Sequence, residues 1–289
     1  MKLKNFPLYA ILGLFILGQV ACKKDRNATS DDSDSTYDLS SKQATSDAIV
    51  EDINNIVFST FADSSNSLGA REYNNISVDN GLPACASVLI SGNFPNRMIT
   101  INFGSGCLDT FGIFRSGIIH ILLSDSVRRN GSTATVTFDN YHVKKFKKEG
   151  TIIWTNLTAN SSDTIRTWRR EVQNVMITDT TNLNHWTHSA TKNVMQYKGG
   201  STPRIRYDDK YKIYDGIGTV TNSSGTSMTT TIIDTLYKSY NCPHIDKGSI
   251  KFDGTSHYAV LDYGNGTCDA ISTVVIDGNI ANTRTILLP

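Results

Sequence analysis

The chain has 289 residues, with 28 Lys and Arg against 27 Asp and Glu, for a formal net charge of +1 at neutral pH. So even a balance excludes the whole-molecule field that draws nucleic acid or an anionic membrane to a strongly basic protein. Charged residues make up only 19 % and Pro occurs 6 times, while Ser, Thr, Asn and Gly abound, a mix suited to an exported β-rich protein with many tight turns.

The N-terminus reads as an address. Lys2 and Lys4 precede an apolar run from Leu8 to Leu17, and Gln19-Val20-Ala21 leads into Cys22. At about 10 residues the run is too short to span a bilayer of about 30 Å, and its flanks are those of an export signal. A cysteine directly after the small Ala21 fits a lipobox, in which Cys22 is acylated and becomes the new N-terminus. Gln19 departs from the Leu usual there, and an ordinary signal peptide cut near Ala21 is the alternative. The expected organisation is a signal peptide over 1–21, an acylated Cys22 with a disordered tether over 22–44, and one β-rich domain over 45–289. Residues 23–44 are Ser/Asp-rich and nearly without apolar side chains, so they lack the surface to order themselves.

Residues 46–61 predict one helix. Ser46 can cap it, Asp47 and Glu51 sit near its positive end, and Ile49, Ile53, Ile56, Val57 and Phe61 make one apolar stripe that docks on the following sheet. Past residue 66 no dozen-residue segment has helical periodicity. Met98 to Phe103, Thr133 to Phe138 and Tyr258 to Tyr263 alternate apolar and polar residues, as strands do. Turn signals (Gly92, Gly131, Asp215-Gly216, Asp253-Gly254, Asp277-Gly278) recur at hairpin spacing. The fold class expected is mainly β. It is a large antiparallel meander, curved into an open half-barrel or split into a sandwich, with one N-terminal helix.

The chain also repeats itself. Residues 99–109, ITINFGSGCLD, align with 259–269, AVLDYGNGTCD, so that Phe103 matches Tyr263, Gly104 and Gly106 match Gly264 and Gly266, and Asp109 matches Asp269. Setting Cys22 aside leaves Cys85, Cys107, Cys242 and Cys268, an even number with three possible connectivities in an exported protein. Free thiols or a metal site are the alternative, although the spacing is not that of zinc. Each unit reads as strand, Gly-rich corner, strand, with a local staple: Cys85 to Cys107 and Cys242 to Cys268. Asp109 and Asp269 are expected to bond local amides in the corners.

The signal ending in Cys-Lys-Lys-Asp, and a strand ending in [FY]-G-x-G beside a Cys and an Asp at both ends of the body, resemble lipid-anchored envelope lipoproteins of the Bacteroidota. The resemblance implies an outer-membrane lipoprotein with a β body, on the cell surface or the periplasmic face. It carries no catalytic residues and no cofactor.

The search for chemistry yields little. His185 and His188 would face opposite sides of a strand and cannot share a metal there. No G-x-S-x-G elbow, phosphate loop or dinucleotide fingerprint occurs. Asp208, Asp209 and Asp262 are dispersed carboxylates of the kind a hydrolase uses, and exposed turn acids explain them as well. A possible ligand surface combines Lys144 and Lys145 of the run Lys144-Lys145-Phe146-Lys147-Lys148 with Arg166, Trp168 and Arg169. Core burial is the competing expectation for Trp154, Trp168 and Trp186. Three functions remain: a non-enzymatic module binding glycan or an envelope protein; a lipid or lipoprotein carrier in which a helix plugs a curved apolar sheet; and a dispersed-carboxylate hydrolase. Nucleic acid is not expected as a partner; the membrane, through the lipid, is.

Overall fold

A computed structural model of the chain describes residues 26–64, 71–73, 82–202 and 205–289. The export signal and Cys22 lie outside them. Among the described residues one α-helix, α1 (Arg26–Ser64), precedes fifteen strands. These are β1 (Arg71–Tyr73), β2 (Ser87–Ser91), β3 (Arg97–Asn102), β4 (Cys107–Leu108), β5 (Phe114–Leu123), β6 (Thr133–Val143), β7 (Phe146–Asn156) and β8 (Arg166–Asp179). There follow β9 (His185–Lys198), β10 (Lys210–Asn222), β11 (Ser227–Ser239), β12 (Lys247–Asp253), β13 (Tyr258–Asn265), β14 (Ile271–Ile276) and β15 (Arg284–Leu287). All belong to one antiparallel sheet whose strand order follows the chain, with the short β4 paired to β5 off the main path. The sheet is open, so the meander is a curved single sheet and not a sandwich.

Its curvature has a local cause. Every one of the eight consecutive ladders from β5–β6 to β12–β13 contains a register shift, whereas the ladders at the two ends of the sheet run without one. Such bulges bend a strand and tighten its twist. Here they lie side by side as a crease. Gly117 (φ +83°) faces Asn140, itself at φ 45°, and a Cβ on Gly117 would sit 2.2 Å from the Asn140 carbonyl oxygen. Asp215-Gly216, expected as a hairpin turn, is instead the crease in the middle of β10, with Asp215 at φ 49°.

The crease wraps the sheet about α1. The residues expected to dock one apolar stripe, Ile49, Ile53, Ile56 and Val57, are buried, but so are Gln43, Ser46, Asp47, Glu51, Asp52 and Asn54 on the other sides. The side chain of Phe61 lies outside the described residues. The structure therefore corrects two expectations. First, α1 spans Arg26–Ser64, so most of the segment read as a disordered tether, 26–44, is helical. Its small polar residues satisfy themselves on the helix backbone: the hydroxyls of Thr36, Ser40 and Ser46 donate to the carbonyls of Asp32, Thr36 and Lys42. The wall supplies the remaining contacts, including Tyr37 OH to the Thr285 carbonyl at 2.9 Å and Arg284 to Asp34 at 2.7 Å. Second, Ser46 does not cap the helix; it lies in the interior and accepts a hydrogen bond from Trp186 Nε1 at 2.9 Å.

The repeat is visible as matched environments. Ile99, Ile101 and Phe103 are buried in the first unit, and Ala259, Leu261 and Tyr263 in the second. Asn102 and Asp262 each accept the N–H of the glycine two residues on. Asp109 and Asp269 do bond local amides. The disulfides are Cys85–Cys107 and Cys242–Cys268, closing separations of 22 and 26 residues. Loops of that size limit the unfolded chain enough that each bridge contributes about 3 kcal/mol. Replacing Cys242 and Cys268 together with Ala should lower the urea unfolding free energy of the oxidised protein by about that amount. A change below about 1 kcal/mol would show that the corner holds itself.

Candidate functional site

The first stapled corner builds one wall of a surface groove. Asp109 Oδ1 accepts the N–H groups of Phe111 and Ile113, both at 2.8 Å, which turns residues 110–112 outward while Ile113 returns to the core. Leu108 and Phe111 are left 61 % and 44 % exposed. The second wall comes from the chain on either side of the β10–β11 hairpin. Asn241 Nδ2 donates to the Tyr207 carbonyl at 3.1 Å and the Tyr240 N–H to the Asp209 carbonyl at 3.0 Å, which fixes the two tyrosines together. Tyr240 then presents its ring edge-on to Phe111 at 6.3 Å and to Tyr207 at 6.2 Å, and Arg206 stands 5.5 Å from its centre. Leu82, Pro83, Ala84 and Thr110 complete a groove with ≈ 770 Å³ of empty space, part of it open to solvent.

Behind the groove lies an ionic lattice. Asp109 Oδ2 is 2.7 Å from Arg115, and Arg115 also holds Asp52 of α1 through two of its nitrogens. Burial lowers the guanidinium's affinity for its proton, but Asp52 and Asp109 more than reverse this, so Arg115 is firmly charged. Further along α1, Asp47 meets Lys192 at 2.5 Å, and also accepts from Tyr263 OH and Gln43. Burial pushes the Asp47 carboxyl up, yet the Lys192 charge and the hydrogen bonds from Gln43 and Lys192 bring it down to about 2. Glu51 meets Arg170 at 2.7 Å by charge alone, without hydrogen-bond geometry. Lys148 and Lys238 are also buried. The Nζ of Lys148 has no hydrogen-bond partner and lies 5.4 Å from the Phe138 ring centre, and its burial drives the pKa down to about 7.

The residues expected to form one ligand surface do not come together. Trp168 is in the core, 4.5 Å from the Phe58 ring of α1, because the alternation of β8 turns it inward; it is no ligand platform. Arg166 and Arg169 sit at the start of β8, and Arg169 pairs with Glu171. Lys144 and Lys145 form the β6–β7 turn at the opposite end of that strand pair, beside Asp179, to which Lys145 is bonded at 2.7 Å. The basic run itself splits by strand alternation: Lys147 faces out to Glu149 and Lys148 faces in. Trp154 and Trp186 are buried as well, each donating its indole N–H to α1. His188 is buried while His185 is exposed, as opposite strand faces require.

The carboxylates considered for hydrolysis are spent locally. Asp209 is buried on Arg206, Tyr211 and Gln196; Asp208 accepts from Thr202; and Asp262 accepts the Gly264 N–H. Among the described residues no three His, Cys, Asp or Glu are grouped as a metal would need. The groove residues Phe111, Tyr207 and Tyr240 escape the sequence reading because they come from three distant segments. The only local hint was aromatics set in polar turns beside cysteines. No family model, no curated protein and no solved structure matches this chain.

Proposed function

We propose that the chain is a non-enzymatic, lipid-anchored envelope protein whose aromatic groove binds a glycan. The carrying observation is a pair of exposed rings, Phe111 and Tyr207, held at the rim of one concave site by the buried Tyr240 ring that both touch, next to Thr110 and Asp109. Rigid aromatic faces take up the C–H faces of a sugar at little entropic cost, and nearby polar groups orient it. The one acid lining the groove, Asp109, is committed to Arg115 and to two amides, which suits holding a ligand better than moving protons.

The carrier reading has less support. Its wall should be apolar where the helix plugs it, whereas α1 meets Arg115, Arg170 and Lys192 there. Removing the helix would strand several charges in the interior.

The test is a glycan array followed by calorimetry on the best neutral ligand. Tyr207→Ala and Phe111→Ala should each weaken binding tenfold or more while the urea midpoint stays unchanged, since both side chains are exposed. Unaltered affinity in both variants would sink the assignment. For the address, the wild-type protein should carry a lipid mass lost in Cys22→Ala.

A further inference from the structure

Among the described residues, six of the thirteen Lys and Arg side chains that are not buried are neutralised in place. Lys145, Lys147, Arg129, Arg169, Lys251 and Arg284 each have a carboxylate within 3 Å. Of the other seven, Arg128, Lys144 and Arg166 lie elsewhere, and four gather on one stretch of the outer sheet face. Lys198 of β9, Lys210 and Lys212 of β10 and Lys247 of β12 have no carboxylate within ion-pair distance among the described residues.

The strand register gathers them. Lys198 is directly opposite Lys210, and Lys212 is opposite Tyr237 of β11, which is in turn opposite Lys247. Tyr197 and Tyr237 stand at right angles, 6.3 Å apart, with the Lys212 ammonium 5.0 and 5.6 Å from their ring centres. Lys247 approaches Tyr237 from its other neighbour strand at 5.6 Å. Two tyrosines thus hold two ammonium groups in place without neutralising them, which a carboxylate partner would do. Strands lie about 4.8 Å apart, so Lys212, Tyr237 and Lys247 cover roughly 10 Å across the sheet. Asp246, next in the chain to Lys247, is 8 % exposed and bonds Ser239; its carboxylate is near enough to act on Lys210 and Tyr197 but is not within ion-pair distance of any of the four lysines.

We propose that this face binds an acidic polysaccharide, its carboxylate or sulfate groups on the four lysines and its sugar rings against Tyr197 and Tyr237. Alternating cations and aromatic rings fit a polymer that alternates anionic groups with apolar sugar faces. A bilayer would need apolar side chains projecting between the charges, and this row offers tyrosines already engaged with lysines. The site is separate from the groove, although the chain leads from Tyr207 at the rim to Lys210 within three residues.

The experiment is affinity electrophoresis of the purified wild-type body through gels containing polygalacturonate, dextran sulfate or neutral dextran, with flotation on phosphatidylglycerol vesicles alongside. Retardation by both acidic polymers but not by dextran is expected, weakening steadily as salt rises, as displacement of counterions from a polyanion predicts. Lys210→Gln/Lys212→Gln/Lys247→Gln should lose at least tenfold in affinity. Arg128→Gln/Arg129→Gln/Lys147→Gln, which removes equal charge elsewhere, should not. Tyr237→Ala should weaken binding, and Tyr237→Phe should keep it. Tyr207→Ala should leave retardation unchanged, so a failure of the groove reading is distinguishable from a failure of this one. Equal loss in both triple variants, equal retardation by dextran, or flotation tighter than polymer binding would each overturn the proposal.

Discussion

Arg170→Met should destabilise the protein by about 3–5 kcal/mol, the cost of leaving one member of a buried ion pair alone. Arg170 is 1 % exposed and its partner Glu51 is fully buried. Glu51 receives no hydrogen bond, so its charge is balanced mainly by Arg170 at 2.7 Å, with Lys148 and Lys238 further off. Methionine fills much of the vacated length but offers nothing to the carboxylate. The double variant Glu51→Gln/Arg170→Met should recover most of the loss, because an absent charge needs no partner. Urea unfolding at neutral pH for the four proteins of the cycle gives the coupling energy directly. A single variant within about 1 kcal/mol of wild type, or a double variant equal to the sum of its parts, would show that Glu51 and Arg170 do not depend on each other.

That cycle probes the feature of the fold least legible in the sequence. Strand alternation, all but one of the turn signals, the terminal repeat and the disulfide pairing were readable, because each is local or repeats a local pattern; Asp215-Gly216 has the residues of a turn but bends the middle of a strand. Phe103 and Tyr263 announce equivalent positions through the glycines that follow them. The enclosure of α1 was not readable. Residues 26–44 contain few apolar groups, and composition says that such a segment cannot bury enough surface. The argument fails because the wall, not the helix, supplies the partners: Trp186 for Ser46, His188 for Gln43, Lys192 for Asp47. Those partners are about 140 residues away. No window of the sequence holds both.

The candidate site was hidden for a related reason. Trp168 and the lysines of 144–148 were conspicuous as composition, but in a strand the neighbour of an outward residue points inward. Conspicuous runs are therefore divided between faces. The lysines that do share a face, Lys212 and Lys247, are 35 residues apart in the sequence and meet only through the β10–β11–β12 register.

The second large effect is on pH, and it follows from buried bases that fold without their protons. Burial lowers the Lys148 ammonium from 10.5 to about 7 and the His188 imidazole from 6.5 to about 3. In both the folded value lies below the unfolded one, so the unfolded chain binds more protons between the two values. Stability must then rise with pH across each window and fall as pH drops through it. The Lys148 window runs from 10.5 down to about 7 and the His188 window from 6.5 down to about 3, each worth on the order of 5 kcal/mol at most. Asp47 adds an acid limb below the unfolded value of 3.8, lost as pH falls through about 2. The urea midpoint is therefore expected to be higher at pH 9 than at 7, and higher at 7 than at 4. Lys148→Met removes a buried amine that has no hydrogen-bond partner. It should raise the neutral-pH midpoint and shrink the limb above pH 7, part of which stays because burial also lowers Lys238 from 10.5 to about 8, and it should leave the acid limb in place. His188→Gln should act on the other limb, shrinking it between 6.5 and 3 to the part that His244, lowered by burial to about 4, still supplies, since a neutral amide can still accept from Gln43 without ever binding a proton. A wild-type midpoint independent of pH from 4 to 9, or a Lys148→Met protein less stable than wild type at pH 7, would mean that the interior holds these groups protonated. The lattice around α1 would then be a set of charges closer to balance than its geometry implies.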